Sequence, residues 1–373
     1  MTAKRTEDER FMRMALKEAA KGAGNVSPNP LVGAIAVKDG KVLAKAFHRK
    51  FGELHAETAL LKKLTPDQAR GATVYVNLEP CCHLGKTAPC TSALINAQVG
   101  KIVIAHRDPN PLVDGKGITA LSEAGVHVRM GVCEEDAKRL NAPFISYMTK
   151  GRPWILLKVA QSLDGRIALS NGKSRWITGE ASRIEVHRMR AKLDALLVGV
   201  QTVIDDDPEL TVRHVKGRDP IRIIADSKLR IPEDARVLQH KNRSKMWLLT
   251  TNEVDQEKFA RLEKLGIVLI VCRATPDGRV DLAHAMREIA SRDVTSVLVE
   301  GGGTIHASLL LANLWDEIVM AVAPILIGAD GRPSVGELSL EALKNAPKLT
   351  PYRTVQFDED YWYYLEKNVY GNS

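Results

Sequence analysis

The triplet His55-Ala56-Glu57 and the downstream run Pro80-Cys81-Cys82-His83-Leu84-Gly85-Lys86-Thr87-Ala88-Pro89-Cys90 constrain this chain more than any other feature. One imidazole and two thiolates make three protein ligands for zinc. Three ligands, not four, leave a coordination position for water, as a catalytic zinc requires. A metal held this way lowers the pKa of its water toward neutrality. Glu57, two residues after the histidine, is placed to move protons and not to bind the ion. It takes the water's proton and returns it to a ring nitrogen and a departing amine.

His-x-Glu, then Pro-Cys, then a later Cys is the signature of the zinc deaminases. One departure stands out: their usual second half is Cys-x-x-Cys, whereas eight residues separate Cys81 from Cys90. Cys82 competes for a ligand position, and Cys81 is preferred because it directly follows Pro80. A closed structural site that recruited Cys82 or His83 would not require a glutamate at the Glu57 spacing.

With 373 residues, 45% hydrophobic and 26% charged, the composition is that of an ordinary globular protein of two domains or more. No apolar run reaches the length of a membrane span, and the first ten residues lack a secretory signal. Three of the five cysteines fall within ten positions, a pattern of metal binding in a reducing cytoplasm and not of a disulfide framework. The net charge is +8; residues 1–146 carry 21 Lys and Arg against 15 Asp and Glu, and the rest 32 against 30. The basic first half suits an anionic substrate, and aromatics at 5% of the chain are too few for the stacking platforms of a nucleic-acid deaminase. A non-catalytic zinc-stabilised binding module would leave Glu57 without a role.

Along the chain, Thr6-Glu7-Asp8-Glu9 reads as a capping box before a helix carrying Phe11, Met14, Ala15 and Ala19. Ser27-Pro28-Asn29-Pro30 is a stiff loop that presents Asn29. Leu31–Val37 and Lys41–Phe47 read as a hairpin around Asp39-Gly40. His48 follows it, pointing toward the stretch before His55. A helix over 57–64, a strand over 73–78 that delivers Glu79-Pro80-Cys81, and a helix opened by Pro89 place the three ligands at element ends. Glu134–Met148 reads as one closing helix. Thr149-Lys150-Gly151-Arg152-Pro153 is the boundary, giving domains 1–150 and 151–373. The second half alternates strands (154–160, 195–200, 221–225, 245–250, 268–271, 294–299) with helices, which predicts a mainly parallel sheet. Thr202–Asp207 reads as an acidic turn. In Glu300-Gly301-Gly302-Gly303-Thr304, glycines between strand and helix let a phosphate approach the helix N-terminus, although neither the Gly-x-Gly-x-x-Gly nor the Walker pattern is present.

Taken together, the two halves resemble the bifunctional riboflavin-biosynthesis deaminase–reductases. The resemblance covers nearly the whole chain. It rests on Pro28-Asn29-Pro30-Leu31-Val32-Gly33, His55-Ala56-Glu57, Leu78-Glu79-Pro80-Cys81, Pro89-Cys90, Asp108-Pro109-Asn110-Pro111, Ser162-Leu163-Asp164-Gly165-Arg166, Arg175-Trp176-Ile177-Thr178, Asp206-Asp207-Pro208-Glu209-Leu210-Thr211-Val212-Arg213 and Glu300-Gly301-Gly302-Gly303. It implies an α/β chain: an N-terminal cytidine-deaminase-like α/β/α domain and a C-terminal dihydrofolate-reductase-like domain. It further implies zinc on His55, Cys81 and Cys90, and Glu57 as proton shuttle. The deaminase pocket would be lined by Asn29, His48, Lys86, Asp108 and Asn110, with Lys86 meeting a substrate phosphate. NADPH would lie against Ala160, Trp176, Thr202, Asp206, Ser227 and the segment Gly302, Gly303, Thr304, Ile305, His306, Ala307 and Ser308. The reductase substrate would meet Ser174, Arg190, Leu210, Arg213 and Glu300, with the two arginines suited to a phosphate and Lys158 assisting catalysis. At the end of strand 221–225, Ser227 is expected to face the adenosine ribose and Asp226 to face away, because strand neighbours alternate. The implied partner is a phosphorylated pyrimidine, not nucleic acid or a membrane. The sequence leaves the oligomeric state open, a homo-oligomer included.

Overall fold

The computed structural model describes residues 6–82 and 89–367. It divides into two compact units, Met1–Gly151 and Arg152–Ser373. Among the described residues no helix is long and apolar enough to cross a membrane.

Unit 1 runs α1 (Glu7–Ala19), β1 (Gly33–Lys38), β2 (Lys41–Phe47), α2 (Ala56–Leu61), α3 (Pro66–Ala69), β3 (Thr73–Leu78), α4 (Cys90–Asn96), β4 (Lys101–His106), α5 (Lys116–Glu123), β5 (His127–Met130), α6 (Glu134–Leu140) and α7 (Ala142–Lys150). Thr6 and Glu9 form the reciprocal capping box that starts α1. Asp39 and Gly40 both take positive φ, 52° and 71°, the backbone a tight hairpin needs. The sheet order is β2-β1-β3-β4-β5; β1 is antiparallel to both neighbours, while β3, β4 and β5 are parallel. Both faces are buried. Val74, Val76, Ile102 and Ile104 pack with Leu60, Leu94 and Leu121 on one side, and Tyr75 and Val103 pack with Phe11 and Met12 on the other. Asp8 on α1 accepts hydrogen bonds from Tyr75 Oη at 2.6 Å and Lys101 Nζ at 3.3 Å and pairs with Arg129. It thereby ties the first helix to β3, β4 and β5.

Unit 2 contains β6 (Trp154–Ser162), β7 (Arg166–Ala168), α8 (Glu180–Lys192), β8 (Ala195–Gly199), α9 (Val200–Asp206), β9 (Ile221–Ala225), β10 (Met246–Thr250), α10 (Gln256–Lys264), β11 (Val268–Val271), α11 (Leu282–Ala290), β12 (Ser296–Val299), α12 (Gly303–Leu311), β13 (Glu317–Ala323), β14 (Arg332–Pro333), β15 (Leu349–Phe357) and β16 (Asp360–Lys367). The main sheet runs β11-β10-β9-β8-β12-β6-β13-β16-β15. It is parallel through β13 and closes with the antiparallel hairpin β15–β16. One hydrophobic cluster lies on each face.

Three expectations are corrected. The single helix over 134–148 is two helices broken at Asn141, whose φ of −100° and ψ of 16° depart from helix while its side chain is drawn into bonds with Leu31. The acidic turn at 202–207 is the helix α9, which begins directly at the end of β8. The strands β15 and β16 escape a reading based on buried parallel strands, because β15 has no buried residue and β16 alternates buried and exposed residues over its first half.

The closing hairpin is locked to α8 by a polar chain. Trp362, fully buried, donates its indole N–H to Ser182 Oγ at 2.8 Å. Ser182 Oγ donates to Asp360 Oδ2 at 2.6 Å, and the same oxygen accepts the Gly179 N–H at 2.8 Å, capping a helix that has no side-chain cap of its own. Ser182→Ala strands the buried indole N–H, so it should cost about 1–3 kcal/mol of unit 2 stability. Urea unfolding followed by tryptophan fluorescence measures this, and an unshifted midpoint would show that the chain of bonds does not hold the hairpin.

Candidate active sites

In unit 1 the three expected ligands come from three element ends. His55 is the N-cap of α2, Cys81 lies three residues past the end of β3, and Cys90 is the first residue of α4. His55 Nδ1 lies 3.5 Å from Cys81 Sγ and 3.3 Å from Cys90 Sγ. All three donor atoms fall within 4.8 Å of one another. Two sulfurs and an imidazole nitrogen are a donor set that selects zinc. Hydrogen bonding from Cys90, and from His55, holds the Cys81 thiol down at about 4. The bond to Cys81 and burial push Cys90 up. A bound dication would displace the thiol protons of this pair. Glu57, in the first turn of α2 and buried, has its carboxyl pushed up to about 7 by desolvation and then by the Cys81 charge.

A cavity of about 440 Å³ opens over this cluster, lined by His55, Glu57 and Cys81 together with Asn29, His48, Asp108 and Asn110. The Asn29 amide donates to His48 Nε2 at 3.1 Å, which leaves the ring proton on Nδ1 to reach the Leu54 carbonyl at 3.0 Å. With Nε2 accepting, the ring is neutral, and burial lowers the His48 pKa in the same sense. Burial also raises Asp108 to about 6. Lys86 lies outside the described residues. Phe51, Phe144, Tyr147 and Met148 also line the cavity; the sequence reading missed them. The last three sit on α7, and Asn141 docks that helix by accepting the Leu31 N–H at 2.8 Å and donating to the Leu31 carbonyl at 3.1 Å. Nothing local in the sequence announces a contact spanning 110 positions.

In unit 2 a second cavity, about 410 Å³, lies at the C-terminal ends of β6, β8 and β12. Lys158, Ala160, Ser174, Thr202, Asp206, Glu300 and Gly302 to His306 line it. The glycine run is a cradle with different demands at each position. A Cβ on Gly301 would sit 2.2 Å from Ile305 Cγ2, and one on Gly303 would sit 2.6 Å from the Pro333 carbonyl oxygen, while Gly302 faces open space. The glycines let α12 pack tightly and leave its N-terminal N–H groups open to an anion, which fits a dinucleotide phosphate. Trp176, Leu210, Arg213, Ser227, Ala307, Ser308 and Arg190 are not among the lining residues. Trp176 is 68% exposed beneath the Arg183 guanidinium, 4.5 Å from its ring centroid. Ser227 Oγ accepts the Val280 N–H at 2.9 Å, and Asp226 turns away, accepting the Ile231 N–H at 2.8 Å. Gln201, Asp205 and Arg332 complete the wall, with Arg332 paired to Asp205 at 2.5 Å.

Arg190 differs most from its expected phosphate role. It is half-buried and paired in two-pronged fashion with Glu300, at 2.7 and 2.8 Å, and donates to the Thr211 carbonyl at 3.1 Å. Its guanidinium orients a carboxylate at the cavity edge. Arg213 remains exposed and held by Glu209 at 2.8 Å. Its backbone N–H donates to His187 Nδ1 at 3.1 Å. Burial, then the Arg190 and His214 charges, press His187 down to about 4. A histidine whose pKa is lower in the folded state binds protons preferentially when unfolded. Unit 2 should therefore lose stability as pH falls from about 6.5 toward 4, and His187→Gln should remove part of that slope. Calorimetric melts at pH 7 and pH 5 measure it; equal slopes in parent and variant would assign the acid sensitivity elsewhere.

Each unit matches a known family. Residues 5–106 match the model for the cytidine and deoxycytidylate deaminase zinc-binding region, and residues 153–363 match that for the RibD C-terminal domain. The chain is 39% identical to the riboflavin biosynthesis protein RibD of Aquifex aeolicus over 95% of its length and 96% of the relative's. It is 38% identical to that of Escherichia coli K12 over 92% and 94%. Among solved structures, Acinetobacter baumannii RibD superposes with a TM-score of 0.86 at 36% identity, covering 97% of this chain and 99% of that one. The diaminohydroxyphosphoribosylaminopyrimidine deaminase/5-amino-6-(5-phosphoribosylamino)uracil reductase of Thermotoga maritima gives 0.85 at 35%, with the same coverage. The chain belongs to the RibD family of riboflavin-biosynthesis proteins, which join a zinc-dependent deaminase and an NADPH-dependent reductase in one polypeptide.

Proposed function

We propose that unit 1 hydrolytically deaminates 2,5-diamino-6-ribosylamino-4(3H)-pyrimidinone 5′-phosphate and that unit 2 then reduces the ribosyl group to a ribityl chain with NADPH. The product is 5-amino-6-ribitylamino-uracil 5′-phosphate. The observation that carries the reading is the convergence of His55, Cys81 and Cys90 within 4.8 Å, with the buried Glu57 on the same cavity wall.

His55, Cys81 and Cys90 would hold the zinc, which when bound would make a water acidic enough to attack at neutral pH. Glu57 accepts that water's proton as the new C–O bond forms at C2 of the pyrimidine. It delivers that proton to the ring nitrogen, then takes the second proton from the added hydroxyl as the C2 carbonyl forms and passes it to the amine, which leaves as ammonia as the C2–N bond breaks. A carboxyl raised to about 7 is matched to taking and giving a proton near neutral pH. Neutral His48, held by Asn29, offers a fixed edge for the heterocycle, and Asp108 and Asn110 line the same cavity.

In unit 2, the run Gly301–Gly303 and the start of α12 would hold the phosphate of NADPH, and the bound cofactor would supply a hydride for C1′ of the ring-opened ribosylamine. A proton must then reach the nitrogen that was double-bonded to C1′. Lys158 is the lining group able to give it. Burial lowers its pKa, and the Glu300 charge opposes that shift. Arg190 keeps Glu300 fixed beside it.

Cys81→Ser or Cys90→Ser should lose zinc and ammonia release together, while Cys82→Ser keeps both. Glu57→Gln should retain zinc and slow ammonia release by roughly two orders of magnitude or more, and it should still oxidise NADPH on deaminated substrate. Metal analysis with separate ammonia and NADPH assays decides. Zinc lost from Cys82→Ser, or both activities lost from a folded Glu57→Gln, would overturn the assignment.

A further inference from the structure

Glu79 directly follows β3, the strand that delivers Cys81, and its carboxylate is buried. Among the described residues its partners are backbone N–H groups and not a cation. Oε1 accepts the backbone N–H groups of Gly117 at 3.0 Å and Ile118 at 3.2 Å. Oε2 accepts those of Gly115 at 3.0 Å and Asp108 at 3.2 Å. The Glu79 N–H itself donates to the His106 carbonyl at 3.1 Å, extending the parallel β3–β4 pairing by one bond. One side chain therefore caps α5 from outside and holds both ends of the 108–115 loop. Packing enforces the same contact, since a Cβ on Gly117 would lie 2.2 Å from the Pro80 carbonyl oxygen.

That loop carries Asp108, Asn110 and Val113, all on the wall of the deaminase cavity. Within it, Asp108 Oδ1 accepts the Asn110 N–H at 2.8 Å and Asn110 Oδ1 accepts the Leu112 N–H at 3.0 Å. The loop is stiff internally, but its placement relative to the metal ligands depends on its two ends. Both ends are fastened to the residue two positions before Cys81.

We infer that Glu79 is the positioning residue of the deaminase site, setting the distance between the metal-ligand segment and the Asp108–Asn110 wall that holds the pyrimidine. A carboxylate suits this task because it offers two acceptor oxygens and no competing donor. A glutamine keeps the size but turns an NH2 group toward two N–H donors. The role rests on the deaminase reading above. It predicts a defect in substrate binding with the metal in place, because Asp108 and Asn110 line the cavity with polar side chains, whereas Glu79, although it also borders the cavity, has both carboxylate oxygens taken up by backbone N–H groups.

The test uses the full-length zinc enzyme and its Glu79→Gln and Glu79→Ala variants. Zinc content, NADPH oxidation on deaminated substrate, kcat and KM for ammonia release, and hydrogen exchange of the 108–118 segment are measured. Glu79→Gln should keep zinc and the reductase rate within about twofold of the parent, raise KM for deamination about tenfold or more with a smaller change in kcat, and lose exchange protection in 108–118. Glu79→Ala should show the same pattern more strongly; if it does not fold, Glu79→Gln alone decides. The inference is overturned if Glu79→Gln deaminates with unchanged KM, or if its activity falls only in proportion to zinc lost. A parent that releases no ammonia sinks the deaminase reading instead, and hydrogen exchange still reports whether Glu79 fastens the loop.

Discussion

Burying a carboxylate is expensive unless something compensates it, and both cavities are arranged around carboxylates that meet this condition in different ways. Glu79 is compensated by four backbone N–H groups. Glu300 is compensated by a two-pronged guanidinium. Glu57 has the least compensation, and its proton affinity rises accordingly. The first two are fixed points of the backbone, and the third is free to exchange a proton. Removing either fixed point would leave unpaired polar groups where water is scarce, so the surrounding loops have few alternative arrangements.

The two units reach similar solutions from different topologies. In each, the cavity lies beyond the C-terminal ends of parallel strands, the usual place for ligands in open α/β sheets. Unit 1 uses helix starts and a strand end to bring His55, Cys81 and Cys90 together. Unit 2 uses a glycine run at the end of β12, where close packing of Gly301 and Gly303 leaves Gly302 open. One site needs precise distances between side chains. The other needs exposed backbone.

Much of the fold was legible because period and punctuation agree with it. The capping box at Thr6, the hairpin at Asp39-Gly40, the strand 73–78 and the alternating strands of the second half all appear where local chemistry places them. The ligand triad was legible because zinc demands specific atoms at specific spacings. What escaped depends on contacts distant in sequence. Asn141 breaks a helix to bond Leu31, and the α7 wall of the first cavity follows from that dock. Arg190 looks like a helix-surface charge or a phosphate ligand until Glu300 is seen against it. Ser227 occupies the expected strand end, but its hydroxyl oxygen is used by the Val280 N–H. Residue types were readable in each case; their partners were not.

The central claim is that one chain performs two ordered reactions at two separate sites. The most direct measurement incubates the purified protein with the phosphorylated diamino-pyrimidinone, with and without NADPH, and follows ammonia and NADPH together. The account predicts ammonia release in both arms, and NADPH oxidation that begins only as deaminated product accumulates and approaches one equivalent of the ammonia formed. NADPH oxidation that precedes ammonia, or ammonia release that requires NADPH, would contradict it.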